Sequence, residues 1–120
     1  MNPSILVTGG AGYIGAHACV MLIAAGFTPL VLDNLCNSSA ESLRRVGRIT
    51  GVEPRLIVAD IRDAQALTAL FAAQPITAVM HFAGLKAVGE STRDPLRYHD
   101  NNVGGSIACC RRCSAPPCAR

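Results

Sequence analysis

The chain lacks several features that would assign it to other classes of protein. Its 120 residues include no tryptophan, two tyrosines and a single lysine. No stretch of about 18 uncharged apolar residues is present, so the sequence predicts no membrane-spanning helix. The N-terminus has no basic segment followed by a cleavage site of small residues, and we therefore expect no secretory signal and a cytoplasmic location.

Most of the chain also has no excess charge. The net charge of +3 arises from Arg111, Arg112 and Arg120, which lie in the last ten residues, where there is no acidic residue. The rest of the chain has eight basic and eight acidic residues. A balance of this kind gives no basic surface for nucleic acid, and we expect no nucleic acid as a partner. Half of the residues are apolar, enough at this length for one modest core.

The most informative segment present is rich in glycine. Residues 8–15 read TGGAGYIG and follow the apolar residues 5–7. Their glycines fit G-x-G-x-x-G, the general dinucleotide fingerprint, and also TG-x-x-G-x-x-G, the variant of the short-chain dehydrogenases. An apolar strand that turns through glycines into a helix presents backbone N–H groups to a pyrophosphate. The segment therefore predicts a dinucleotide site.

A carboxylate at the expected distance supports this interpretation. A nearly all-apolar helix is predicted near 16–25 and should stop at Gly26. The apolar residues 30–32 that follow end in Asp33, 18 residues beyond Gly15. A carboxylate at that place accepts hydrogen bonds from the adenine ribose. Its negative charge also repels a 2′-phosphate, so the sequence favours NAD over NADP.

The order of the predicted elements indicates an α/β fold. Apolar runs alternate with helical segments, which is typical of β-α-β units and a parallel sheet. We expect the N-terminal part of a Rossmann-type doubly wound parallel sheet of about four strands. The predicted strands cover 5–7, 30–32, 56–58 and 76–82, and the further helices lie near 39–50 and 63–73.

Polar residues that follow the third and fourth strands should reach the same sheet edge as the glycine loop. Asp60 with Ile61 suits an adenine ring, although Asp60 is also placed to cap the helix that starts near Asp63, and both roles stay open. Lys86 is a candidate donor to a ribose or a phosphate. His81 is interpreted as a packed or exposed histidine without a catalytic role.

Five segments together carry a resemblance to a known family: 8–15, 32–38 (LDNLCNS), 60–61, 81–91 (HFAGLKAVGES) and 98–103 (YHDNNV). Over residues 1–108 the chain resembles the N-terminal part of the UDP-glucose 4-epimerases, which are extended short-chain dehydrogenases/reductases. The resemblance implies tightly held NAD that takes a hydride from C4 of the sugar and returns it to the opposite face. UDP-glucose and UDP-galactose are thereby interconverted in galactose metabolism. Members of this family are often homodimers.

The resemblance also implies a set of cofactor contacts and no metal. Tyr13 and Ile14 would present backbone amides to the pyrophosphate, 33–38 would hold the adenosine ribose and a phosphate, and 60–61 would contact adenine. Residues 82–86 would line the ribose on the nicotinamide side, with Asn101 beneath the nicotinamide. The full set is Gly9, Gly12, Tyr13, Ile14, Gly15, Asp33, Asn34, Leu35, Cys36, Asn37, Ser38, Asp60, Ile61, Phe82, Ala83, Gly84, Leu85, Lys86 and Asn101.

The catalytic pair of the superfamily is missing from these residues. That pair is Tyr-x-x-x-Lys, in which the lysine lowers the pKa of the phenol from roughly 10. Tyr13 is followed four positions later by His17, and Tyr98 by Asn102, while the only lysine is Lys86. We expect this chain by itself to be inactive. The alternatives are a non-catalytic NAD-binding module or a fragment of another NAD-dependent nucleotide-sugar epimerase or dehydratase.

We interpret residues 1–108 as an incomplete NAD-binding domain. Residues 109–120 differ from it in composition. Four of the six cysteines lie there. The codons TGC TGC CGG CGA TGC AGC GCG CCG CCG TGC would encode the segment after Ala108, and one C added in front changes the reading to Leu-Leu-Pro-Ala-Met-Gln-Arg-Ala-Ala-Val. We expect a disordered tail translated out of frame. The alternatives are a zinc site built on Cys110-x-x-Cys113 with Cys118, and a disulfide cluster.

Overall fold

The structure, a computed structural model, describes residues 2–113. Its four strands pair in parallel in the order β3-β2-β1-β4. This arrangement confirms the predicted α/β fold with a Rossmann-type parallel sheet. The strands are β1 (Ser4–Thr8), β2 (Thr28–Asp33), β3 (Arg55–Val58) and β4 (Ile76–His81), and the crossover helices are α1 (Tyr13–Ala24), α2 (Glu41–Thr50) and α3 (Ala64–Ala73).

The two faces of the sheet bury different side chains because successive residues of a strand point to opposite sides. Ile5 and Val7 of β1 pack with Cys19 of α1 and with α2. Leu6 between them packs on the other face with Leu67 and its neighbours in α3. The central strands β1 and β2 are covered on both faces and read as continuous apolar runs, as parallel strands usually do. The edge strands β3 and β4 are more exposed. The result is a three-layer α/β/α arrangement.

The segment after β4 is helical almost throughout. It contains α4 (Val88–Arg93), α5 (Pro95–His99), a π-helical turn (Asp100–Gly104) and α6 (Gly105–Cys113). Single π-helical turns within α-helices are rare and frequently lie at functional sites.

Residues 109–113 differ from the expected disorder. They complete α6, and Cys109 is buried in the core beside α3, where burial raises the pKa of its thiol to about 12. The guanidinium of Arg112 lies 5.6 Å from the centre of the Phe71 ring, a cation–π distance. A buried apolar contact therefore continues the helix past Ala108. The predicted tail beyond it, with Pro116 and Pro117, lies outside the described residues.

No helix between residues 2 and 113 is both long and apolar enough to cross a membrane. The same residues contain no group of three or more His, Cys, Asp or Glu side chains placed to hold a metal ion. Cys118, which the zinc alternative requires, lies outside the described part of the chain.

Candidate functional site

A cleft opens at the carboxyl ends of the strands, where the strand order reverses. From β1 the chain proceeds to β2 and β3 on one side and to β4 on the other. Such a reversal leaves a crevice in which α/β proteins bind ligands. The crevice here is a cavity of about 440 Å³. All the predicted cofactor contacts line it except Leu35 and Asp60, and Leu32, Ala59 and Ala87 line it in addition.

Two glycines of the loop after β1 are required by close backbone approach. Gly9 has a φ of +68°, and a Cβ there would lie 2.7 Å from the backbone nitrogen of Ala83. A Cβ on Gly15 would lie 2.3 Å from the Gly9 carbonyl oxygen. Both distances are well inside van der Waals contact and involve backbone atoms. Glycine therefore lets the loop pack against the end of β4 and lets α1 begin beside it.

The first turn of α1 presents unpaired N–H groups to the cleft. Gly12 donates its N–H to the Gly9 carbonyl, and Ala16 donates to the Gly12 carbonyl. Within residues 2–113 the N–H groups of Tyr13, Ile14 and Gly15 have no protein acceptor, as expected for a helix start without a side-chain cap. The partial positive charge of a helix N-terminus adds to these donors, and the arrangement suits an anion.

Asp33 holds the glycine loop and the following loop together. Its carboxylate is buried at 8% exposure and accepts hydrogen bonds from three donors. The Ala11 N–H donates at 3.1 Å, the Leu35 N–H at 2.8 Å and the Ser38 hydroxyl at 2.9 Å. An ionised carboxylate has about four lone-pair positions, so about one remains for a ligand. Asp33 is thus a structural anchor as well as the predicted ribose acceptor.

Leu35 does not line the cleft. Its side chain packs against the core on the α1/α2 side of the sheet. Its φ of +59° places a leucine in the left-handed region, which is costly for a residue with a branched side chain. The hydrogen bond from its N–H to Asp33 and this packing maintain that conformation. Leu35 therefore shapes the loop, and its direct contact with the cofactor stays a prediction.

Asp60 also lies outside the cleft lining, between Ala59 and Ile61, which both line it. Arg62 donates to its carboxylate from the backbone N–H, Nε and a terminal nitrogen at 2.8–2.9 Å, and Asn34 donates at 3.4 Å. These hydrogen bonds lower the pKa of Asp60 to about 2. Arg62 also pairs with Asp100 at the start of the π-helical turn. The cap of α3 is Asp63, which accepts from two N–H groups of the first turn.

The π-helical turn supports the loop after β4. Asn102 accepts from the Leu85 N–H at 2.8 Å and donates to the Leu85 carbonyl at 2.9 Å. Asn101 is buried, lines the cleft and donates to the Asn102 side-chain oxygen at 3.0 Å. Sequence reasoning chose Asn101 and missed Asn102. The available signal was the paired asparagines themselves, because an amide can bond a backbone N–H and a carbonyl simultaneously.

Comparison with known proteins identifies the family of the chain. Residues 5–119 match the model of the NAD dependent epimerase/dehydratase family. The chain belongs to this family.

Two curated relatives of the chain are UDP-glucose 4-epimerases. The chain is 58% identical over 103 residues to the UDP-glucose 4-epimerase of Yersinia pestis, covering 86% of the chain and 30% of that protein. It is 55% identical over 107 residues to the UDP-glucose 4-epimerase of Bacillus subtilis, covering 89% of the chain and 32% of that protein. The chain therefore spans about a third of the length of the curated relatives it matches.

A solved structure within the family has the same arrangement of elements. It is the UDP-glucose-4-epimerase of Stenotrophomonas maltophila with bound NAD and formylated UDP-arabinopyranose. The TM-score is 0.91 at 50% identity, over 94% of this chain and 34% of that chain. A UDP-glucose 4-epimerase of Bifidobacterium longum, solved with NAD⁺ and UDP, gives a TM-score of 0.89 at 40% identity, over 92% of this chain and 33% of that chain.

Proposed function

We propose that the chain binds NAD in the cleft, as the N-terminal cofactor-binding part of an enzyme that interconverts UDP-glucose and UDP-galactose. The observation that carries the proposal is the unpaired first turn of α1 beside the buried Asp33 carboxylate. One group offers N–H donors to a pyrophosphate, and the other offers an acceptor to a ribose hydroxyl. The names of the relatives supply the sugar nucleotide.

The cleft residues divide according to the parts of the cofactor. The N–H groups of Tyr13 and Ile14 bind the pyrophosphate, and the residues after β2 hold the adenosine ribose. Ala59 and Ile61 form an apolar wall for adenine, with Asp60 fixing the turn between them. The loop 82–86 and Asn101 accommodate the nicotinamide side, where the bare backbone of Gly84 allows a flat ring to approach closely. Bound NAD supplies the hydride chemistry.

We propose that these 120 residues do not catalyse the interconversion by themselves. Neither tyrosine is followed four positions later by a lysine, so no phenol has the neighbour that would lower its pKa. Tyr98 supports this view: it is buried and donates its hydroxyl to Glu90, and burial raises the pKa of its phenol. A cytoplasmic location belongs to the same proposal, because NAD and sugar nucleotides are used there.

Calorimetric titration tests cofactor binding. We expect the chain to bind NAD and to bind NADP at least about tenfold more weakly, because the 2′-phosphate would face Asp33. Lys86→Met should weaken NAD binding, whereas Arg44→Ala, in an exposed ion pair of α2, should not. A folded chain that binds neither dinucleotide would contradict the proposal. Conversion of UDP-galactose by the purified chain would contradict the proposed inactivity.

We also propose that the reading frame changes after Ala108. Four cysteines and three arginines among residues 109–120 support this proposal. The coding DNA tests it directly: addition of one base should open a frame that contains Tyr-x-x-x-Lys. If neither shifted frame contains that motif, the proposal is wrong, and residues 109–120 are the native sequence.

A further inference from the structure

His81, an exposed residue at the carboxyl end of β4, lies at the centre of a series of hydrogen bonds. Its Nδ1 atom is 2.6 Å from the hydroxyl oxygen of Thr8 at the end of β1. Its Nε2 atom is 3.0 Å from the hydroxyl oxygen of Ser106 in α6. Ser106 in turn donates to the backbone carbonyl of Asn102 at 2.5 Å. The imidazole therefore connects β1, the end of β4 and the helix that follows the π-helical turn.

The donors and acceptors in this series of hydrogen bonds determine which nitrogen of the His81 ring carries the proton. Ser106 has one hydroxyl hydrogen, which it donates to Asn102, so its oxygen accepts from His81 Nε2–H. Nδ1 of the neutral ring is then an acceptor, and the Thr8 hydroxyl donates to it. The opposite tautomer would place an Nε2 lone pair against a Ser106 lone pair. Burial lowers the pKa of His81, which favours the neutral ring.

Both ends of the series of hydrogen bonds reach the loop that lines the cleft. The Thr8 hydroxyl oxygen accepts from the Ala83 N–H at 3.4 Å. At the other end, the Asn102 side chain holds the N–H and the carbonyl of Leu85. Thr8 is fully buried, so its hydroxyl has no water to replace a lost partner. The orientation of the imidazole thus influences both ends of residues 83–85.

We propose that His81 is a positioning residue: held as the neutral Nε2–H tautomer between Thr8 and Ser106, it fixes the backbone of residues 83–85 along the cleft. The ring contributes no atom to the cleft lining. Its effect on NAD affinity rests on the proposed function, whereas the tautomer and the loop position do not require NAD.

Nuclear magnetic resonance of the full chain with isotope-labelled histidine rings tests the tautomer without cofactor at mildly alkaline pH. His81→Gln identifies the signals of residue 81 among the three histidines. We expect protonation at Nε2 alone in the unmodified chain. Ser106→Ala and Thr8→Val should each shift the ring toward a mixture of tautomers. Thr68→Val, which removes an exposed hydroxyl in α3, is the matched control and should change nothing.

The backbone amide signals of Ala83 and Leu85 test the positioning. We expect Ser106→Ala to move both signals and to raise the Kd for NAD about threefold to tenfold. Ser106→Thr, which keeps the hydroxyl, should restore the two amide signals and the Kd for NAD. His99→Gln, at an exposed position of α5, should leave the amide signals and the Kd unchanged.

Three results would overturn the proposal. In the unmodified chain, the His81 ring could carry its proton on Nδ1, or it could be a mixture of the two tautomers. In Ser106→Ala, the His81 ring could become a mixture of tautomers while the amide signals of Ala83 and Leu85 stay in place. If the unmodified chain does not bind NAD, the proposed function fails, and the amide signals alone decide the role of His81.

Discussion

Asp33 is the last residue of β2, Asp60 follows the end of β3 by two residues, and the two carboxylates have different partners. Asp33 is buried and accepts from two backbone N–H groups and a hydroxyl, so it determines the shape of two loops. Asp60 is partly exposed and is bound mainly by the flexible side chain of Arg62. Backbone donors are fixed by the fold, whereas an arginine on the surface is held only by its ion pairs. Two carboxylates at the same edge of a sheet therefore do not have equal energetic importance.

Replacement of the two carboxylates gives the largest expected contrast. Asp33→Ala leaves the Ala11 and Leu35 N–H groups and the Ser38 hydroxyl without their acceptor, and we expect a loss of about 2–4 kcal/mol in the free energy of unfolding. Asp60→Ala should cost less than about 1 kcal/mol, since its partner is exposed and keeps Asp100. Urea unfolding of the two variants measures the difference. Equal losses would remove the distinction between the two sites.

The glycine loop that Asp33 holds provides the next contrast. Gly15→Ala places a Cβ against the Gly9 carbonyl, and we expect it to cost about 1–3 kcal/mol in the free energy of unfolding. Gly12→Ala is the matched control, because its Cβ would lie 3.3 Å from the same oxygen, where a small shift relieves the contact. Thermal unfolding should show the larger decrease for Gly15→Ala. The reverse order would mean that the loop moves away from α1 at little cost.

The ion pairs of Arg62 should contribute a smaller and salt-dependent amount. We expect Arg62→Ala to lower the free energy of unfolding by about 0.2–1 kcal/mol, because its guanidinium is partly exposed. High salt should reduce this difference, whereas the effect of Asp33→Ala should remain. Urea unfolding at low and high ionic strength measures both. A salt-independent effect of Arg62→Ala would indicate packing by its aliphatic stem.

The smallest expected effect is the acid titration of Asp60. The pKa of its carboxyl is about 2 in the folded chain and about 3.8 ordinarily. Above the ordinary value both states are ionised and the stabilisation is complete; it is lost as the pH falls from about 4 to about 2. Asp60→Asn should remove this part of the pH dependence while leaving the rest. Unfolding midpoints across that range measure it, and an identical profile for Asp60→Asn would contradict the pairing.

The sequence was a good guide where a local pattern carries the constraint. The glycine spacing, the apolar strands and Asp33 lie in short segments whose geometry follows from backbone sterics and strand periodicity. The left-handed backbone of Leu35 and its packing were not predicted, because they depend on a core to which several separate elements contribute. The contact of Leu35 with the cofactor stays a prediction. The π-helical turn was not predicted, because no sequence periodicity marks a single wide turn.

Burial of Cys109 shows the same limit. Its segment is cysteine- and arginine-rich and carries no strong helical signal, yet a small apolar thiol fits the core beside α3 and continues the helix. The composition of residues 109–113 does not predict this burial, because packing depends on the apolar surface of α3 that the fold places beside them.

By itself, the sequence determined the strand–glycine–helix unit, the acidic residue that ends β2 and the parallel α/β fold. These depend on neighbours in the chain and on the alternation of apolar strands with helical segments. Only the tertiary structure decided that Asp33 anchors two loops, that Arg62 donates to the Asp60 carboxylate, and that Thr8 and Asn102 bond the loop after β4. Those roles depend on hydrogen bonds between residues up to about 75 positions apart, and no local pattern encodes them, because their geometry exists only once the sheet has brought the strand ends together.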